Sequence, residues 1–300
     1  MINVEIAKVC GLCAGCKYAI DTALKIKNEG KNAVLFKEIV HNKNVNLMLQ
    51  DHGIPIKDEI CQIQNDDYII IRAHGEPPET FEYLKSHDID FADCTCVNVK
   101  KIHNEIEKYS NMGFTIFLIG KYGKTTGKIH PEILGSKGYS KTETILIEDE
   151  EDLSKAKEIK DKNCLITFQT TFNESKARNL QIKLQNILDR NNCKVRVYDS
   201  ICSAQKSINK FSADLARQCD LMIVVGGKNS SNTKELFENV KKITNAIFLE
   251  DIYDYQTELK SNNVDLSKNI KIGLTAGAST NRSELETLKI LLEKDIENLQ

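Results

Sequence analysis

The chain is predicted to be an α/β protein made of three similar units, and three observations predict it. Short runs rich in Val, Ile, Leu and Phe recur along the 300 residues, helical patterns lie between many of them, and three cysteines at strand-to-helix turns begin a common spacing. Strands that alternate with helices argue for parallel sheets covered by helices.

In chain order, the strand-like runs are residues 3–9, 33–36, 68–72, 114–119, 144–147, 164–167, 194–198, 220–225, 246–250 and 270–274. The clearest helices, with apolar residues at three- and four-residue spacing, are 17–28, 97–112, 173–189, 204–218 and 282–299. From Cys13 a count of 28 residues reaches His41, and from Cys202 the same count reaches Ser230; Cys96 reaches His130 once a six-residue surplus is allowed. This spacing divides the chain into units 14–95, 96–199, and 200–300 completed by 1–13. No low-complexity segment or Pro/Gly-rich linker separates them, so the three are expected to share one interface with a pocket where they meet.

Charge narrows the partners. With 41 basic and 43 acidic residues the net charge is -2, which gives no general field for nucleic acid or an anionic membrane, so an anionic ligand must be met locally. No apolar run approaches the roughly 20 residues of a membrane span. The first ten residues leave no room for a secretory leader, and a cytoplasmic location is expected. In that compartment the ten cysteines suit metal ligands, reactive groups or packing better than disulfides.

Parallel sheets bind ligands outside the carboxyl ends of their strands, where turns into helices offer free N–H groups. The polar motifs lie there: Arg72-Ala73-His74-Gly75, Gly120, Gly226 to Asn232, and Thr275 to Ser279. Cys13, Cys96 and Cys202 would deliver one thiolate per unit to a common centre. Three thiolates leave one metal position without a protein ligand, which points to a catalytic metal site. Cys10, Cys13 and Cys16 form a C-x2-C-x2-C run without the fourth cysteine and proline of the ferredoxin pattern. Cys94 reads as a small buried residue, and core packing explains Cys61, Cys164, Cys193 and Cys219.

His41, His74 and His130 follow strands at site-facing turns, and imidazoles converging there suit an anionic group such as a phosphate. His52, His87 and His103 read as solvated surface groups. Glu132 follows His130-Pro131 and is either an acid or proton relay or a helix-start glutamate. Thr170, Thr171, Ser230, Asn232 and Ser279 supply hydroxyl and amide donors at the other strand ends, and each alone could be a helix cap.

These motifs resemble the LytB family, the 4-hydroxy-3-methylbut-2-enyl diphosphate reductases of the isoprenoid pathway. The resemblance runs nearly end to end, through Gly11-Leu-Cys13-Ala-Gly15, Glu38-Ile-Val-His41-Asn42, Ala73-His74-Gly75, Thr95-Cys96, Ile119-Gly120, His130-Pro-Glu132, Gln169-Thr170-Thr171, Ile201-Cys202, Gly227-Lys-Asn-Ser-Ser-Asn232 and Thr275-Ala-Gly-Ala-Ser279. It implies a cloverleaf of three α/β units around a central 4Fe-4S cluster, with Cys13, Cys96 and Cys202 as ligands and the fourth iron open to substrate oxygen. It further implies that His41, His74, Ser230, Ser231, Asn232 and Ser279 hold the diphosphate, that His130 lines the pocket, and that Glu132 with Thr170 manages protons.

The implied reaction removes the substrate hydroxyl with two electrons and two protons, giving isopentenyl and dimethylallyl diphosphates. The electrons would come from an external donor such as ferredoxin or flavodoxin, since no Gly-x-Gly-x-x-Gly fingerprint for a bound nucleotide cofactor is present. The chain departs from the family in Ser203 to Asn209 where a Thr-x-x-Arg-Gln stretch is usual, in Val97 where proline is common after the cysteine, and in six extra residues, Lys124 to Ile129. Other readings are a divergent reductase of another small diphosphate or allylic alcohol, an electron carrier or redox sensor using Cys10, Cys13 and Cys16 with Cys94 or Cys96, and a structural zinc module.

Overall fold

The first strand of the chain, β1 (Asn3–Ile6), pairs in parallel with a strand from the far end of the sequence, Val4 lying opposite Ile272. In this computed structural model, which describes residues 3–40, 42–124, 127–266 and 270–299, twelve described strands form three parallel sheets of four. One sheet is built from β2 (Ala33–Phe36), β3 (Ile56–Lys57), β4 (Tyr68–Ile71) and β5 (Phe91–Asp93). The next is β6 (Thr115–Ile119), β7 (Thr144–Ile147), β8 (Asn163–Phe168) and β9 (Lys194–Tyr198). The last is β10 (Leu221–Val225), β11 (Asn245–Leu249) and β12 (Lys271–Ala276) with β1.

All three sheets have one topology. Their orders are β3-β2-β4-β5, β7-β6-β8-β9 and β11-β10-β12-β1, so in each the second strand flanks the first and the third lies on its other side. The chain's opening strand fills the fourth place of the last sheet. The leading strands β2, β6 and β10 are buried at every position, which is why they read as continuous apolar runs and not as alternating ones. The α/β class and the parallel sheets expected from the sequence are what the chain forms.

The helices are α1 (Ala14–Asn28), α2 (Lys43–Asp51), α3 (Pro78–Ser86), α4 (Val97–Asn111), α5 (Pro131–Gly138), α6 (Glu174–Arg190), α7 (Ser203–Ala216), α8 (Ser231–Lys241), α9 (Tyr255–Ser261) and α10 (Arg282–Leu299). Helical spacing sets the faces they bury: α6 turns Ala177, Leu180, Leu184 and Leu188 inward, and α1 turns Ala19, Ile20, Ala23 and Ile26. Truncating one such leucine to alanine costs about 2–5 kcal/mol. The starts are fixed by side chains: Asn42 accepts the N–H groups of Asn44 and Val45 at α2, Asn173 that of Lys176 at α6, and Ser230 that of Thr233 at α8.

Contacts divide the chain into two compact units, Met1–Lys17 with Val40–Gly53 and Ser203–Gln300, and Tyr18–Ile39 with Ile54–Cys202. The first unit holds the β10 sheet, with Ile223, Val225, Leu274, Leu285, Leu288 and Leu292 packed on one face and Met222, Val224, Ile208 and Leu236 on the other. The second holds the other two sheets, one cored by Val34, Phe36, Ile69 and Leu84 and the other by Phe117, Ile119, Ile166, Phe168 and Leu184.

Two surface assignments need correction. His103, expected to be solvated, is 3% exposed because α4 turns it inward, where it stacks on Tyr139 at 4.1 Å. Desolvation brings its pKa down to about 4, so the ring is neutral. Cys61, expected in the core, is exposed on a short 3-10 turn, Ile60–Gln62, that buries no side chain. The first strand ends at Ile6, earlier than expected: Ala7 still donates to the Leu274 carbonyl, and the chain then bends through Gly11 at φ +82°.

Candidate functional site

In the repeated topology, strand order reverses beside the first and third strands, the place where open α/β sheets take their ligands. The segments that follow β4, β6, β8, β10 and β12 carry His74, His130 with Glu132, Thr170, Ser230 with Asn232, and Ser279, in that order. Each proposed thiol follows a fourth strand: Cys96 follows β5, Cys202 follows β9, and Cys13 follows β1. The equal spacing in the sequence is thus a topological repeat, with thiols after the fourth strands and polar donors after the first and third.

In the second unit, Glu132 is at the centre. Pro131 opens α5 and His130 caps it, its Nδ1 accepting the Glu132 N–H at 3.2 Å. In the neutral ring that bond places the proton on Nε2. The Glu132 side chain, 1% exposed, accepts the Thr170 N–H at 2.6 Å and the Thr170 hydroxyl at 2.7 Å. Burial pushes its pKa up to about 7, against the pull of the two Thr170 hydrogen bonds. A carboxyl in that state gives or takes a proton near neutrality.

Around this pair the other residues connect. The His74 and His130 rings meet edge to face at 5.3 Å. The Thr170 carbonyl accepts the Cys202 N–H at 2.8 Å, and the Ala73 carbonyl accepts the Cys96 N–H at 2.9 Å. Gln169, 1% exposed, accepts the Lys121 N–H and donates to the Thr171 hydroxyl, both at 2.9 Å, joining the β6 and β8 loops. Gly120 has to be glycine here, since a Cβ would stand 2.4 Å from Ile133 Cδ1 and 2.8 Å from Gln169 Cβ. The insertion near His130 is anchored at its base, where Glu148 accepts the N–H groups of Tyr122, Gly123 and Lys124 at 3.0–3.1 Å. Thr125 and Thr126 lie outside the described residues.

In the first unit, Cys13 donates its N–H to the Ala278 carbonyl at 3.1 Å, next to Ser279. The buried Ser279 Oγ and the Asn232 Oδ1 have no hydrogen-bond partner among the described residues, a state that costs free energy until a polar ligand supplies one. Thr233 brings the two loops together: a Cβ on Gly277 would stand 2.1 Å from its hydroxyl, and one on Gly226 2.8 Å from it. Asn42 reaches Thr280 in the same cluster at 3.4 Å. A cleft of about 260 Å³ opens beside Asn42, Gly227 and Lys228. The larger cavity of about 730 Å³ lies at the amino ends of β10 and β11, away from these loops. His41 lies outside the described residues, as does the side chain of Ser231.

The donor chemistry fits a metal held through sulfur. All three cysteines stand immediately before helices, Cys13 before α1, Cys96 before α4 and Cys202 before α7. The Cys13 pKa is brought down to about 6 by a hydrogen bond from the Cys16 side chain, opposed by burial and helped by backbone N–H groups of Cys16 and Gly15. Cys10 and Cys94 differ: burial pushes both thiols up, Cys94 to about 11, which suits packing and not ligation. Among the described residues no three His, Cys, Asp or Glu side chains stand within reach of one metal ion, so the fit rests on thiolate chemistry and loop position.

A repeated parallel α/β fold with cysteines after its fourth strands and polar donors on its switch-point loops defines an α/β protein of the kind that takes a ligand at the carboxyl ends of its strands. The profile of the LytB protein family matches residues 4–293, and the chain belongs to that family. It is 31% identical to the 4-hydroxy-3-methylbut-2-enyl diphosphate reductase of Clostridioides difficile (strain 630), over 97% of this chain and 99% of that protein. The reductase of the same name from Helicobacter pylori (strain Shi470) is 33% identical over 96% of this chain and 98% of its own length. Among solved structures, the E-1-hydroxy-2-methyl-but-2-enyl-4-diphosphate reductase from Plasmodium falciparum superposes with a TM-score of 0.83 at 26% identity, covering 97% of this chain and 87% of that one.

The sequence reading missed the groups that brace these loops. Glu76 pairs with Arg72 on the far side of His74, Asn98 follows Cys96 by two positions, and Thr233 and Thr280 sit under Gly226. Arg72 and Glu76 alone had a readable signal, opposite charges four residues apart around a histidine.

Proposed function

We infer that this chain catalyses the reductive removal of the hydroxyl of 4-hydroxy-3-methylbut-2-enyl diphosphate, giving isopentenyl and dimethylallyl diphosphates. The observation that carries the mechanism is the buried Glu132–Thr170 pair, bonded through Thr170 to the Cys202 turn and bordered by His130 and His74. Neither an electron carrier nor a zinc module has use for a buried carboxyl that titrates near neutrality.

In balance, one C–O bond breaks and one C–H bond forms, two electrons and two protons enter, and water leaves. Protonated Glu132 holds one proton where the leaving hydroxyl needs it, and Thr170 orients the carboxyl and passes the proton on. His130, whose neutral ring carries its proton on Nε2, would line the same pocket. Ser279, Asn232, Ser230 and His74, with His41 and Ser231, bind and orient the diphosphate, whose oxygens accept from the otherwise unpartnered Ser279 hydroxyl and from the NH2 group of Asn232.

Cys13, Cys96 and Cys202 would hold a 4Fe-4S cluster, which when bound supplies one-electron transfer and a Lewis-acidic iron. The electrons originate in an external carrier such as ferredoxin or flavodoxin. No described helix is long and apolar enough to cross a membrane, and we place the activity in the cytoplasm.

Anaerobic purification and reconstitution test this reading. About four irons per chain, and oxidation of reduced viologen only when the hydroxylated diphosphate is added, are expected. Product analysis should find the two five-carbon diphosphates. A protein that takes up no iron, or that loads iron and leaves this substrate untouched, sinks the assignment.

A further inference from the structure

Cys202 has a neighbour that the reaction as set out does not use. The side-chain amide of Asn98 donates from Nδ2 to Cys202 Sγ at 3.6 Å, across 104 positions of sequence. Asn98 sits in the first turn of α4, two residues after Cys96. The turn that presents one thiol therefore reaches the sulfur of another, within a single compact unit. A deprotonated sulfur can only accept, so the amide must face it through its NH2 group.

We propose that Asn98 is a positioning residue that sets the reduction potential of the metal centre through an N–H···S hydrogen bond to Cys202. The inference rests on the cluster reading above. Adding an electron to a thiolate-bound cluster raises its negative charge, and a donor to a ligand sulfur draws part of that charge away, favouring the reduced form and raising the potential. The same bond holds the Cys202 side chain against the α4 turn, keeping two ligands in register while one electron at a time passes through.

The test uses the full chain, reconstituted anaerobically, as wild type, Asn98→Ala and Asn98→Asp, with the midpoint potential read from an EPR-monitored redox titration. The alanine variant should keep its iron and shift to a more negative potential, with the oxidised-to-reduced ratio at fixed potential rising roughly three- to tenfold, the worth of one weak hydrogen bond. Aspartate replaces the donor by an anion and should shift it further in the same direction. Pulsed EPR in deuterated buffer should find an exchangeable proton coupled to the centre in wild type and lose it in the alanine variant. If both variants load iron and titrate at the wild-type potential, the proposal is overturned while the functional reading stands. If wild type itself assembles no cluster, the functional reading fails first and this inference falls with it.

Discussion

Glu76, on the loop after β4, and Glu132, in the first turn of α5, are each 1% exposed in the same compact unit, and their surroundings differ. Glu76 lies between two cations, its Oε1 2.7 Å from Arg72 Nη2 in an ion pair and its Oε2 accepting from Lys37 Nζ at 3.0 Å. Among the described residues, Glu132 meets only the neutral N–H and O–H of Thr170. A buried carboxylate braced by cations is a fixed cross-link, here tying the β2 loop to the β4 loop around His74. Without a cation, burial dominates and the group becomes an exchangeable acid. One topology, used twice, thus holds one carboxylate between cations and leaves the other as a buried carboxyl that titrates near neutrality.

The largest expected effect separates the two. Glu132→Gln keeps the shape and removes the proton, so turnover should fall by about 10²- to 10⁴-fold, the usual worth of a general acid. Stability at pH 8 should not fall with it. Steady-state assay together with thermal unfolding checks both, and a variant that keeps its activity would remove Glu132 from the chemistry.

Glu76→Gln should do the reverse. It leaves Arg72 and Lys37 without their counter-charge, and losing one partner of a buried pair costs about 3–5 kcal/mol; with Lys37 partly solvated we expect the lower end, about 3 kcal/mol. The melting temperature should fall by several degrees while turnover per folded molecule changes far less. A variant that melts with wild type would show that the ion pairs do not brace the His74 loop.

How much of this was readable beforehand follows from the range of each interaction. The leading strands and long helices announce themselves through local apolar runs and helical spacing, so β2, β6, β10, α4 and α6 were found close to their true limits. The two- and three-residue strands β3 and β5 have too few positions to show a period. The turns that carry Cys13, Cys96 and Cys202 occupy equivalent places in the sheets, and a repeat in the fold leaves a repeat in the sequence. Partner choice was not visible: nothing near Asn98 in the sequence points to Cys202, and nothing near Glu132 indicates that its neighbour is Thr170 and not an arginine. His103 was misplaced because a charged helix face can still turn one polar residue inward, and only the fold reveals that a ring sits under Gly75.

The smallest effect sharpens the comparison most. Thr170→Val removes the hydroxyl donor to Glu132 and leaves the backbone N–H, so the carboxyl loses one of its two stabilising bonds and its pKa should rise above about 7. Two readouts should move together. Activity that needs protonated Glu132 declines above pH 7 in wild type, and this limb should shift upward in the valine variant. Stability carries the same sign: between the ordinary value of 4.5 and about 7 the native state binds more protons than the unfolded chain, so wild type loses stability as pH rises through that window. The loss, measured against Glu132→Gln, is at most about 3 kcal/mol and is complete just above pH 7. Thr170→Val should extend it to higher pH. If the limb and the stability curve both stay in place, the hydroxyl does not act on the carboxyl, and the contrast with the cation-braced Glu76 would rest on burial alone.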